Sequence, residues 1–293
     1  MNRSLRPVAV LAALLLGCGM WSCTDVQRYA DKVNLYSAED ENKMGLDAYK
    51  ETLASEKRCT DQEAIAMIDR VGKRLAAVVP GGDQFAWEFT LLESDTINAF
   101  CLPGGKVAVY TGILPYCQNE AALAAVMGHE IGHAVARHGG KRMTQGVLIG
   151  GATATLGEYI KSKGYSDTTT NLALAAAGGL TQVGVVLPFS RGHELEADAM
   201  GLEYMAKAGY DPEEAARFWT RFAALGSSGP AFMSTHPQSE DRAKRLGELM
   251  GPAKQWYASA AQKAGLGAQV PVKYRQTKPE PKPEPKPAIA PAK

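Results

Sequence analysis

Residues 120–137 read Glu-Ala-Ala-Leu-Ala-Ala-Val-Met-Gly-His-Glu-Ile-Gly-His-Ala-Val-Ala-Arg. Leu123, Val126, Met127, Ile131 and Val135 recur at helical spacing, which predicts a helix with one apolar side, stopped by Gly139-Gly140. His129 and His133 are four residues apart, so they share one face of that helix, one turn above the other. Two imidazoles so placed converge on a single tetrahedral cation. Glu130, between them, stands beside the cation without having to bind it, where a carboxylate takes a proton from metal-held water.

A catalytic zinc needs a third protein ligand and an open fourth corner. His138 lies five residues beyond His133, about 500° around an ideal helix, so it is expected to point off the metal face. It reads instead as a helix C-terminal residue beside the negative end of the dipole. Further on, residues 190–198 (Ser-Arg-Gly-His-Glu-Leu-Glu-Ala-Asp) place Glu194 and Asp198 on one helical face. Glu194 is the candidate third ligand. Asp198 is the candidate acceptor for the second ring N–H of a ligand histidine. His193 and Glu196 read as facing elsewhere.

Working outward, residues 61–79 carry Ile65, Ile68, Val71, Leu75 and Val78 at helical spacing, with Thr60 as the N-cap candidate and Pro80-Gly81-Gly82 as the stop. Phe85–Leu92, the stretch from Asn98 into Pro103-Gly104-Gly105, and Lys106–Tyr110 read as three short strands. Further helices are expected over Ser190–Gly209, Pro212–Leu225 and Gln238–Met250. The fold class is therefore α+β, mostly helical, with a small β-sheet. Residues 168–190 contain no charged residue, yet Thr, Asn, Gln, Gly and Pro interrupt them. A buried helical hairpin is favoured there over a membrane span. A formal net charge of +1 gives no reason to expect a nucleic-acid partner.

Four blocks together resemble the family 48 zinc metallopeptidases (HtpX-like and CAAX-prenyl-protease-like, gluzincins). They are AAVMGHEIGHAVARHGG, SRGHELEADAMG, NAFCLPGGKVAVYTGIL and STHPQSEDR. The resemblance runs from about residue 35 to 250, with Cys101 standing where the family usually has a small apolar residue. It implies a zincin-like metalloprotease domain with one Zn2+ per chain, held by His129, His133 and Glu194. Glu130 is then the general base, and Asp198 orients a ligand. The third block resembles the family's edge strand, which aligns an extended substrate by main-chain pairing. The fourth, with His236 and Arg242, suggests donors for the oxyanion. His236 has a second reading, in which it approaches the zinc and closes the open corner.

At the N-terminus, Arg3 and Arg6, an apolar run from Val8 to Leu16 and Leu15-Leu16-Gly17-Cys18 resemble a bacterial lipoprotein signal. The expected organisation is a signal peptide over 1–17, a linker over 18–34 after lipidated Cys18, the peptidase domain over 35–255 and a disordered Pro-rich tail over 256–293. Export would make disulfides available to Cys23, Cys59, Cys101 and Cys117. The expectation is an endopeptidase in the bacterial periplasm, anchored by lipid, in the outer membrane rather than the inner. Its partners would be misfolded or assembling envelope proteins and the envelope assembly machinery. Two readings compete. One is a lipid-anchored chaperone or assembly factor with a closed structural zinc. The other is an integral protease with spans at 146–160 and 168–190.

Overall fold

The computed structural model describes residues 32–164, 166–168, 189–224, 231–237 and 240–275. Helix α1 (Ala38–Ser55) starts on a capping box between Ser37 and Asp40. Helix α2 (Gln62–Ala76) is capped by Asp61, not the expected Thr60. The Asp61 carboxylate accepts from the amides of Glu63 and Ala64 at 3.0 and 3.2 Å, and Asp is the stronger capping residue. Met67, Ile68, Val71 and Leu75 form its buried face.

Three strands follow, β1 (Glu88–Leu92), β2 (Ala99–Leu102) and β3 (Lys106–Tyr110). The central strand is β3, parallel to β1 and antiparallel to β2. The β2–β3 turn uses Gly104 and Gly105 at φ of 82° and 83°, which only glycine adopts without steric cost. All five residues of β3 are buried, because helices cover the sheet.

After the short helix α3 (Leu114–Cys117) comes α4 (Glu120–Val135), whose first turn is closed by Asn119 accepting from the Ala122 amide at 2.8 Å. Every residue of α4 from Glu120 to Ala134 is buried. This departs from the one-sided helix that its large apolar residues predict. Alanines and glycines on the remaining faces let α2, the sheet and later helices close around it.

The expected stop at Gly139-Gly140 is also corrected. Helix α4 breaks at Arg137, which takes the left-handed conformation at φ 57°. Helix α5 (His138–Ser162) begins at once and runs through both glycines. Arg137 is held there by donating to the Tyr36 carbonyl at 2.7 Å and by pairing with buried Glu41 at 2.9 Å. A side chain at residue 140 would collide with the Glu41 carboxylate, so Gly140 serves this close approach.

Helix α6 (Arg191–Lys207) is capped by Ser190 and lies across α4. Helices α7 (Glu213–Ala223), α8 (Ala231–Thr235) and α9 (Glu240–Ser259) complete the helical shell. Packing against the core continues past residue 255 among the described residues. Ala264 and Val270 are buried in the core, the Val270 amide donates to the Gln118 carbonyl at 3.0 Å, and Lys273 pairs with Asp61 at 2.7 Å. Composition misses this because isolated apolar residues here bury against an existing surface without any periodic pattern. The Pro-rich stretch 278–293, the expected signal peptide over 1–17, Cys18 and Cys23, and residues 169–188 of the expected hairpin lie outside the described residues. Among the described residues, no helix is long and apolar enough to cross a membrane. Cys59, Cys101 and Cys117 are free thiols.

Candidate metal centre

Helices α4 and α6 cross with their backbones in contact. A Cβ added to Gly128 would lie 2.9 Å from the Gly201 carbonyl oxygen, and one on Gly132 would lie 3.0 Å from that of Ala197. Only glycines on these faces allow so close an approach. The crossing carries Glu194, on the first turn of α6, to the two histidines of α4.

His129 Nε2 and His133 Nε2 face each other at 3.1 Å, and Glu194 reaches them at 3.5 and 3.3 Å. His236, just after α8, joins them: its Nδ1 is 3.0 Å from Glu194 and 3.3 Å from His129 Nε2. All four side chains are buried, and one donor atom from each lies within 4.8 Å of the others. Three imidazole nitrogens and a carboxylate pointing at a common centre, sealed from solvent, suit a divalent cation of the N/O-binding kind. Without a cation, inward-facing lone pairs would repel; with one, they become ligands.

The surrounding residues hold these donors in place. Asp198 Oδ1 stands 2.9 Å from His129 Nδ1. Arg242 clamps Asp198 through two contacts of 2.7 Å, reaches Glu194 through a third at 2.7 Å, and lies 4.5 Å above the Trp219 ring. The guanidinium thus pairs with one candidate ligand, Glu194, and with the carboxylate behind another, Asp198. His138 is not among the four converging donors, and it opens α5 instead of ending α4. It is fully buried, with Nδ1 3.0 Å from His133 Nδ1 and Nε2 3.1 Å from Glu196 Oε2. Because the chain breaks at Arg137, it meets the ring nitrogen of His133 that faces away from the other donors. His193 stacks on His138 with ring centroids 4.2 Å apart, so all five histidines of the chain gather in one cluster.

Electrostatics follow from this burial. Burial disfavours the His129 cation, yet Asp198 and Glu194 override it and lift its pKa to about 9. Burial, with the neighbouring His129 and His236 charges, pushes His133 well down. Glu194 is held far below the ordinary carboxylate range by the three histidines, against the opposing effect of burial. Glu130 is buried, and burial raises its pKa. Its Oε1 has no hydrogen-bond partner among the described residues, with His236 Nε2 3.5 Å away.

Sequence reasoning misses Phe189, which stacks on His133 at 3.9 Å, and Arg142, whose guanidinium sits 4.0 Å over the Phe189 ring. It also misses Trp219 and Phe232, which wall His129 and His236. No local spacing marks these residues. The one available signal was the histidine count, since a chain with five places every one here.

A buried His-Glu-x-x-His helix crossed by a second helix bearing a carboxylate donor, beside a small sheet, defines a metalloendopeptidase. The profile of Peptidase family M48 matches residues 63–250, and the chain belongs to that family. It is 35% identical over 259 residues to the mitochondrial metalloendopeptidase OMA1 of Schizosaccharomyces pombe, covering 84% of this chain and 72% of that protein. It is 36% identical over 164 residues to the mitochondrial metalloendopeptidase OMA1 of Arabidopsis thaliana, covering 56% of this chain and 31% of that protein. It is 31% identical over 161 residues to the beta-barrel assembly-enhancing protease of Escherichia coli K12, covering 53% of this chain and 33% of that protein. The chain thus spans about a third of the last two.

The mitochondrial relatives overturn the expected bacterial periplasmic, outer-membrane location. The expectation rests on the likeness of Leu15-Leu16-Gly17-Cys18 and the apolar run before it to a bacterial lipoprotein signal. A basic, acid-poor start such as this one, with Arg3 and Arg6 and no acidic residue before Asp25, does not by itself separate secretory from mitochondrial presequences.

Proposed function

We propose that this chain is a zinc-dependent endopeptidase whose ion is held by His129, His133 and Glu194. The observation that carries the reading is the arrival of Glu194, more than 60 residues downstream, against the two histidines of α4. When bound, the ion supplies a Lewis acid for a water molecule and for the scissile carbonyl. Glu130 takes the proton from the attacking water and returns it to the departing amine nitrogen. Its burial favours this, since a raised carboxyl pKa makes it a better proton acceptor. Asp198, gripped by Arg242, keeps the His129 ring turned with Nε2 inward. The outer edge of β2, which has no partner strand among the described residues and packs beside α4, would offer main-chain hydrogen bonds to an extended substrate.

His236 lies among the four converging donors and would compete for an ion held there, which supports a latent arrangement in which His236 would have to move aside to admit substrate. Once withdrawn, His236 becomes the donor nearest to the developing oxyanion. Unfolded or assembling protein segments are the proposed substrates; the name of the E. coli relative, a beta-barrel assembly-enhancing protease, supports the assembling class.

Four protein donors are also what a closed, structural zinc in a chaperone or assembly factor would have. Glu130 separates the two readings, because a structural site does not require a buried carboxylate beside it. The test is cleavage of an unfolded protein by wild type and Glu130→Gln, each with and without chelator. Activity confined to metal-loaded wild type supports the peptidase. Equal activity in Glu130→Gln refutes its role as base.

A further inference from the structure

The two histidines of α4 are backed differently. Behind His129 stands Asp198, a buried carboxylate already clamped by an arginine. Behind His133 stands another imidazole, His138, and behind that Glu196. We propose that His138 and Glu196 are a positioning pair for His133, setting its tautomer and ring orientation through a hydrogen-bonded chain that runs from the metal centre to the protein surface. This inference rests on the metal reading above.

The direction of each hydrogen bond follows from the outside inward. A carboxylate oxygen accepts, and Glu196 Oε2 is placed to take a hydrogen bond from the ring. His138 Nε2, 3.1 Å from Glu196 Oε2, therefore carries the proton and donates it. In the neutral ring this leaves His138 Nδ1 as a bare lone pair. That lone pair sits 3.0 Å from His133 Nδ1, so His133 donates from Nδ1. Its Nε2 is then the unprotonated nitrogen, and Nε2 is the atom that faces His129 at 3.1 Å and Glu194 at 3.3 Å. The tautomer dictated by the surface carboxylate is thus the one in which His133 offers its inner nitrogen to a cation.

The pair is built into the backbone. His138 is 0% exposed and is fixed by stacking on His193 at 4.2 Å, whereas the Glu196 side chain is 53% exposed. His138 faces His133 only because Arg137 takes the left-handed conformation, and that conformation is tied down by Glu41 and the Tyr36 carbonyl. Had α4 continued, His138 would lie about 140° away from His133 around the axis. The break between α4 and α5 is therefore part of the support for the metal centre.

The experiment measures zinc affinity of the full chain by competition with a chromophoric chelator, together with the melting temperature of the metal-free protein. His138→Phe keeps a ring but removes both nitrogens, and His138→Asn restores an acceptor close to the Nδ1 position. Loss of such a supporting partner should weaken zinc binding about 10–100-fold in His138→Phe, while His138→Asn stays within about 3-fold of wild type. Glu196→Ala, at a half-exposed side chain, should weaken zinc binding with no change in metal-free melting temperature. Wild-type affinity in His138→Phe, equal losses in the Phe and Asn variants, or wild-type affinity in Glu196→Ala would each overturn the pair. His133→Ala separates this from the underlying reading: if that variant also keeps wild-type affinity, the metal assignment itself fails.

Discussion

Replacing Gly201 with alanine perturbs the crossing on which the metal centre depends. A Cβ at that position would sit 2.7 Å from the His129 amide nitrogen, 2.8 Å from the Gly128 carbonyl carbon and 3.0 Å from His129 Cα. Ordinary van der Waals contact begins at 3.4 Å, so α6 must withdraw from α4 by about 0.7 Å at the nearest contact. All three atoms belong to the backbone, and no change of rotamer relieves them. Overpacking of this kind costs about 1–3 kcal/mol, which in a domain of this size lowers the melting temperature by about 2–4 °C per kcal/mol. Function should suffer more. Glu194 rides on the same helix two turns earlier, and a misplacement approaching 1 Å at reacting groups costs on the order of 100-fold in rate. Thermal melting of the metal-free protein, chelator competition for zinc and kcat/KM on an unfolded protein give the three readings. Gly146→Ala on α5 is the control. Nothing lies within 4 Å of its added Cβ, and alanine for glycine in a helix should stabilise by about 1 kcal/mol. If Gly201→Ala melts, binds zinc and cleaves like wild type, the helices do not meet through their glycines, and the derivation of the site from that crossing is refuted.

Arg242→Leu should leave Asp198 and Glu194 buried without their cation, at a cost of about 3–5 kcal/mol read from the denaturant midpoint; an unchanged midpoint would contradict the clamp. Arg242 and His129 hold the Asp198 carboxyl below its ordinary value of 3.8, outweighing burial. Its share of that stability is therefore full above pH 3.8 and lost as pH falls through the lowered value, which an acid titration of wild type against the variant resolves. His236→Ala should raise basal proteolysis by opening the fourth corner, and unchanged or lower activity counts against a latent arrangement. Burial, aided by the Glu130 charge, pushes the Cys101 thiol well up, and burial pushes Cys117 up to about 12. Alkylation of both by iodoacetamide, followed by peptide mass spectrometry, should stay slow and flat between pH 7 and 9 until the protein is unfolded; rapid labelling of the native chain would show that these thiols are not enclosed.

Much of this molecule can be read one turn or one strand at a time. The separation of His129 and His133 implies a shared face wherever that helix lies. The same holds for the spacing of Glu194 and Asp198, because 3.6 residues per turn is a property of the backbone alone. Such arguments end where the chain changes direction. Extrapolating the helix past Arg137 turned His138 away from His133, while a left-handed residue held by Glu41 and Tyr36, both distant in sequence, sets it against the outer ring nitrogen of His133. Arg242 was legible as a member of the site but not as a clamp, since only the placement of α9 against α6 decides which carboxylates it meets. The burial of α4 on all sides depends on how many neighbours arrive, not on its own pattern. Local sequence determined which side chains carry the chemistry and which of them share a face. Tertiary packing alone decided which faces meet, because the contacts that bring Glu194 and His236 to α4, and Glu196 to His138 at the start of α5, join segments whose relative placement no local dihedral preference specifies.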